Sequence, residues 1–376
     1  MCGCVSKPAE PQNNDELRGV WITYSTINQM AKSKNGLLAE FTAAINNVKD
    51  AGLNAVFVHV RAFCDSLYPS SIFPLMECLD DKTDYLRQMI EIAHSGGISF
   101  HAWINPYRVS STKTDVDSLP QKSPVVKALA NPESSGNIIG KTKKGIYLNP
   151  ASVAAQKLIV DGVREIVENY NVDGIHMDDY FYPTTDAEFD KADYSAYTRS
   201  AAVPLSLANW RRSNVNALVS GINTVVKGQG KNIQFGISPA ADLNRCYNTL
   251  YADIEGWIGG EYVDYIMPQL YFGFEYPNKD FCFDALAIKY ADLVKGHNVK
   301  LYCGLAPYKL NTTNKKDSIE WNNGTSIVAE QIEYIRQAGY SGFVLFSYTA
   351  TFSTAKPNAE QLENIKQTVN AKQRKE

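Results

Sequence analysis

Two adjacent carboxylates, Asp178 and Asp179, close the short apolar run of VDGIHMDDYFYP (residues 172–183), and three aromatic residues follow them. A carboxylate at the end of a buried segment costs free energy unless a cation, a hydrogen-bond donor or a reaction makes use of it. Paired carboxyl groups suit two tasks: proton transfer to and from a substrate, or a structural ion pair. The elements that hold the pair decide between them.

Short apolar segments alternate with helical ones along almost the whole chain. The strand-like runs are RGVWITYS (18–25), AVFVHVR (55–61), SFHAWINPY (99–107), GIHMDDY (174–180), IQFGISP (233–239), DYIMPQLYF (264–272), KLYCGLAPY (300–308) and GFVLFSY (342–348). Near-continuous apolar strands separated by helices imply a parallel sheet covered on its outer face. Eight such units in 376 residues imply an α/β fold, a (β/α)8 TIM barrel, as a single domain over residues 16–376. One interruption, residues 109–144, is rich in Ser, Lys, Thr, Gly and Pro and is expected to be a long functional loop after strand three, without regular structure.

In a TIM barrel the chemistry sits at the C-terminal ends of the strands. Polar residues gather there: His59, Arg61 and Asp65 at strand two, and His101, Trp103, Asn105 and Arg108 at strand three. Strand four brings His176, Asp178, Asp179 and Tyr180, strand six Gln269 and Tyr271, strand seven Tyr308, and strand eight Ser347 and Tyr348. Side chains alternate along a strand. With Ile175 and Met177 toward the helices, His176 and Asp178 point into the barrel, and so do His59 with Arg61 and His101 with Trp103 and Asn105. Asp178 is then the carboxylate at the mouth, flanked by Arg61 and Asn105, and Asp179 a turn or supporting residue. The competing view, a salt bridge from Asp178 to Arg61, is structural. His59, His101 and His176 with Asp178 could face a common metal, but hydrogen-bonded barrel histidines are the commoner arrangement, and no metal or cofactor is expected.

The net charge of −3 and a pI near 6.0 give no footprint for nucleic acid. The 22 tyrosines and 5 tryptophans supply faces of the kind that line sugar-binding clefts. None of the seven cysteines has C-x-x-C spacing, and no Ser-His-Asp elbow, phosphate loop or dinucleotide fingerprint is present. MCGC followed by VSKPAEPQNNDE resembles the end of a bacterial lipoprotein signal, with Cys4 acylated and residues 1–15 as anchor and linker. No apolar run reaches 18 residues, so membrane attachment is expected only through such a lipid.

ELRGVWITYS, RAFCDSLYPS, HAWINPYRV, YLNPASVAAQKLIVDGVREIVENYNVDGIHMDDYFYP and DYIMPQLYF together resemble the bacterial glycosyl-hydrolase-like ten family, from about Glu16 to Tyr348. The resemblance implies a TIM barrel at the cell envelope that acts on glycans, with peptidoglycan strands lacking stem peptides as the substrate; separately, the chain is expected to be a monomer. Positions matching the family's motifs are Arg61, Asp65, Trp103, Asn105, Arg108, His176, Asp178, Asp179, Tyr180, Gln269 and Tyr271; His101 and Tyr348 are added as further substrate-binding candidates. The fourth strand is also similar to the Asp-Gly-Ile-Asp-x-Asp-x-Glu run of chitinase-type hydrolases, but Tyr180 stands in place of their glutamate. It is similar too to the Asp-Gly-Phe-Arg-x-Asp run of amylase-type enzymes, although strand five here ends FGISP without their acid.

Glycoside hydrolysis needs two carboxyl groups, one of them protonated to assist the leaving group. Asp178 is the first. Asp179 and Asp65 lead the candidates for the second, ahead of Asp242 and Glu275; with an N-acetylated sugar, the substrate's own acetamido oxygen could replace it. Arg61 and Arg108 could bind the lactyl carboxylate of muramic acid or pair with nearby aspartates. Two other functions stay open on sequence grounds: a non-catalytic glycan-binding surface lipoprotein, and a metal-dependent polysaccharide deacetylase.

Overall fold

The computed structural model describes residues 16–131, 137–310, 312 and 318–373. Cys4 and the linker lie outside the described residues. The parallel strands are β1 (Leu17–Ile22), β2 (Ala55–Arg61), β3 (Ser99–Ile104), β7 (Gly174–Met177), β8 (Gln234–Ile237), β9 (Tyr265–Ile266), β10 (Lys300–Leu301), β11 (Cys303–Leu305) and β12 (Gly342–Leu345). Their order is β10-β9-β8-β7-β3-β2-β1-β12-β11. β10 and β11 are two halves of one strand separated by Tyr302; the first pairs with β9 and the second with β12. The Tyr302 N–H bonds to the Ile266 carbonyl (2.9 Å) and the Gly304 N–H to that of Pro268 (2.9 Å), which closes the ring. The sheet is the expected eight-stranded barrel.

Large and small residues share the interior. Trp21, Phe57, Trp103, Tyr265, Met267, Tyr302 and Val344 form one buried cluster inside the barrel. Gly174 and Gly236 make room for it: a Cβ on either would collide with the ring of His101 or of Tyr265. Helices clothe the outside by amphipathic spacing. The helix Val153–Asn169 begins at Ser152, whose side chain accepts the Ala155 N–H, and buries Ala155, Ile159, Val163, Ile166 and Val167 on one stripe.

Two sequence expectations are corrected here. Residues 109–144 are not structureless. β4 (Arg108–Ser110), β5 (Ile139–Thr142) and β6 (Gly145–Leu148) form an antiparallel sheet in the order β4-β6-β5, and Pro124–Ala130 is a short helix. Buried Ile138, Ile146 and Leu148 anchor it beneath a polar composition that masks the strands. The first strand is also shorter than its apolar run. It stops at Ile22, where Thr23 caps a helix, Tyr24–Lys32, by accepting the Thr26 N–H.

Candidate active site

Asp178 follows directly on β7, and β3 supplies its partners. Trp103 donates its indole N–H to Oδ2 at 3.1 Å, and Asn105 Nδ2 donates to Oδ1 and Oδ2 at 3.0 and 3.2 Å. The carboxyl group is 5% exposed at the top of the barrel. Burial pushes its pKa up to about 7, reinforced by the negative charge of Asp179 and opposed by Arg108 and by the Tyr180 and Trp103 N–H donors. Desolvation outweighs donors that favour the anion, so near neutral pH this carboxyl group exchanges its proton readily. Behind it, the Trp103 ring lies on His59 at 3.8 Å and 12°.

Beneath this layer His176 is fully buried. Trp21 donates its indole N–H to His176 Nε2 at 3.2 Å. An indole can only donate, so Nδ1 carries the imidazole proton and meets the Tyr265 hydroxyl at 3.1 Å. That hydroxyl in turn lies 3.5 Å from His101 Nδ1. Burial lowers the pKa of His176 well below the usual range and that of His101 to about 4. Both are buried, neutral struts of the barrel interior, beneath the layer that holds Asp178. Their ring nitrogens serve this network and do not converge as a ligand set, and among the described residues no group of three metal-ligating side chains gathers.

Asp179 stands on the wall of a separate cavity of about 390 Å³. Gln269 Nε2 donates to its Oδ1 at 3.2 Å and to the Ser238 carbonyl at 3.0 Å. Burial raises the pKa of Asp179, while Gln269 and the charges of Arg245 and Arg108 work against that rise. Tyr271 and Tyr308 line the same cavity, edge to face at 5.9 Å. Asp179 is thus a cleft residue, not merely a support for the turn.

Arg108 is stacked between Phe63 and Tyr180, 4.5 Å from each ring centroid. Tyr180 is 49% exposed and forms the outer lip. Asp65 accepts the Phe63 N–H at 3.0 Å, and burial pushes its pKa up to about 6. It opens on another cavity of about 710 Å³, whose described lining includes neither Asp178 nor Asp179.

Two proposed site residues face elsewhere. Arg61 does not flank Asp178. A β-bulge sets His59 opposite Trp103 but Arg61 opposite Ile104, so Val60 and Arg61 together oppose one residue and the alternation breaks. The Arg61 guanidinium instead lies over the Phe73 ring at 4.6 Å, against Gly162 of the helix Val153–Asn169. Tyr348 has left strand eight: it opens the helix Tyr348–Thr351, and its hydroxyl accepts from Asn47 at 2.9 Å on the outer helix layer. Phe346 takes the mouth position, with its ring 5.8 Å from both Trp21 and Tyr271. Sequence reasoning missed Phe346 and Arg245; the inward parity of Val344 was the available signal for the first, and nothing pointed to the second.

The family described as Glycosyl hydrolase-like 10 matches residues 16–323. The chain belongs to this family. It is 36% identical over 358 residues to Glycosyl hydrolase YngK of Bacillus subtilis, covering 88% of this chain and 66% of that one, so it spans just under two thirds of that relative. Glycosyl hydrolase DigH of Escherichia coli K12 is 28% identical over 386 residues, with 89% and 86% covered. Among solved structures, the catalytic domain of β-amylase from Paenibacillus polymyxa superposes with a TM-score of 0.64 at 12% identity, over 96% of this chain and 99% of that chain. That likeness speaks for the barrel alone. Within the Glycosyl hydrolase-like 10 family match lie Asp178, Asp179 and every side chain that holds them.

Proposed function

We propose that the protein hydrolyses O-glycosidic bonds in a bacterial envelope glycan, with peptidoglycan strands lacking stem peptides as the substrate and Asp178 as the essential carboxyl group. The observation that carries this reading is the setting of Asp178: buried at the barrel mouth, gripped by Trp103 and Asn105, and titrating near pH 7. A carboxyl group in that state can hold a proton for a leaving oxygen and give it up in the transition state. Asp179, held by Gln269, faces the sugar from the adjoining cavity. There it can orient an acetamido group or stabilise the positive charge that develops on the sugar ring. Tyr180, Tyr271, Tyr308 and Phe346 surround the pair with aromatic surface.

Family membership supports glycan cleavage; the location at the cell envelope is part of the same proposal and rests on the resemblance of the strand-end motifs alone. Incubation with denuded peptidoglycan, chitin-type and α-glucan oligomers, followed by mass analysis, tests substrate and bond together. The expected result is new reducing ends from denuded peptidoglycan. Release of acetate without chain cleavage, or binding without any product, would overturn it.

A further inference from the structure

The cavity beside Asp179 contains a cation whose part so far is only the effect of its charge on Asp179. Arg245 sits on the short helix Leu243–Asn248 that follows β8, exposed to solvent on the cavity wall. Its backbone N–H bonds to Asp242 at 3.2 Å, but its guanidinium meets no hydrogen-bond or ion-pair partner among the described residues. The neighbouring charges are engaged. Asp242 caps the helix through the Asn244 and Arg245 N–H groups, Asp179 accepts from Gln269, and Lys309 donates to the Tyr271 carbonyl. Of the arginines considered for anion recognition, Arg61 is turned into the helix layer and Arg108 has an aromatic ring near its guanidinium on two sides. Arg245 is exposed and lines this cavity together with Tyr271 and Tyr308.

We propose that Arg245 is a specificity-determining residue that binds a carboxylate substituent of the sugar seated in the Asp179 cavity, in peptidoglycan the lactyl ether carboxylate. An arginine fork matches a carboxylate with two parallel N–H donors, and the tyrosine rings offer the sugar a stacking wall. The inference rests on the substrate reading above. It differs from a purely electrostatic role toward Asp179, which would act alike on every glycan.

A four-way binding comparison separates these roles. Denuded peptidoglycan oligomers, native or with their carboxyl groups reduced to alcohols, are titrated calorimetrically into the full chain carrying Asp178→Asn, with and without Arg245→Gln. Reducing the carboxyl group weakens binding to Arg245-containing protein about tenfold, and Arg245→Gln weakens binding of the native oligomer by a similar factor. With both changes present the loss is no greater than with either alone, and Arg245→Lys recovers part of the native affinity. Losses that multiply, or an Arg245→Gln effect equal on native and reduced oligomers, would overturn the proposal, as would absence of binding. Failure of the wild-type chain to cleave would defeat the hydrolase reading instead and leave these four affinities readable.

Discussion

Trp103 donates its indole N–H to Oδ2 of Asp178 at 3.1 Å while its ring lies flat on His59. One side chain thereby ties three barrel strands together and aims a donor at the carboxyl group that matters most. Trp103→Phe keeps the stacked ring and deletes the donor. Because that donor favours the ionised form, Asp178 should titrate higher in the variant. With Asp178 acting as the acid, the alkaline limb of the kcat/KM profile moves to higher pH, and kcat falls about tenfold from lost positioning. A pH–rate profile of both proteins checks this; an unmoved alkaline limb would detach Asp178 from the acid role.

The same carboxyl group carries a stability cost with a defined pH window. Its pKa in the folded chain, about 7, lies above the ordinary value of 3.8. Below about pH 4 it is protonated whether folded or unfolded and costs nothing. As pH rises through 7 the folded state must bury a charge that the unfolded state exposes to water, so this contribution to stability is lost. Relative to wild type, Asp178→Asn should gain about 4 kcal/mol between pH 4 and pH 8, the rise in pKa converted at about 1.36 kcal/mol per pH unit. Denaturant unfolding at both pH values measures it. A difference that stays flat with pH would mean that Asp178 titrates at its ordinary value.

Arg61 and Gly162 form a second linked pair, outside the barrel. A Cβ at Gly162 would collide with Arg61 Nη1. Both terminal guanidinium nitrogens are buried without a hydrogen-bond partner among the described residues. Gly162→Ala should therefore destabilise the chain by about 1–3 kcal/mol through overpacking. Arg61→Met should leave turnover within about twofold and stability level or higher, as buried charges replaced by apolar side chains often do. The double variant should recover most of the Gly162→Ala loss. Thermal melts of the four proteins, with turnover measured alongside, check the cycle.

Much of this site was legible because strand parity is a rigid geometric rule. It put Trp103, Asn105 and Asp178 on the inward faces of their strands, and they are hydrogen-bonded to one another there. Parity failed where the strand itself was irregular. Detecting the bulge at Val60–Arg61 requires counting β2 against β3, and no single strand contains that information. Strand eight ends at Leu345 and the chain turns into a helix at Tyr348, so the alternating apolar run outlasts the strand. Arg245 lies on a helix whose sequence has no strand-end signature, and only the folded loops bring it beside Asp179. The small sheet of β4, β5 and β6 was hidden for a different reason: its strands are only three or four residues long and include Arg, Ser, Lys and Thr.

The role of Asp178 as the essential carboxyl group of a glycan hydrolase is decided by comparing wild type and Asp178→Asn on denuded peptidoglycan oligomers. Reducing ends released and oligomer affinity are measured in parallel. The variant is expected to lose about 10³-fold in kcat, the scale of a removed acid–base group, while Kd changes little. A variant that releases reducing ends at the wild-type rate would remove Asp178 from the chemistry. So would one that loses binding and turnover by the same small factor, or a wild-type chain that binds the oligomers and releases no reducing ends.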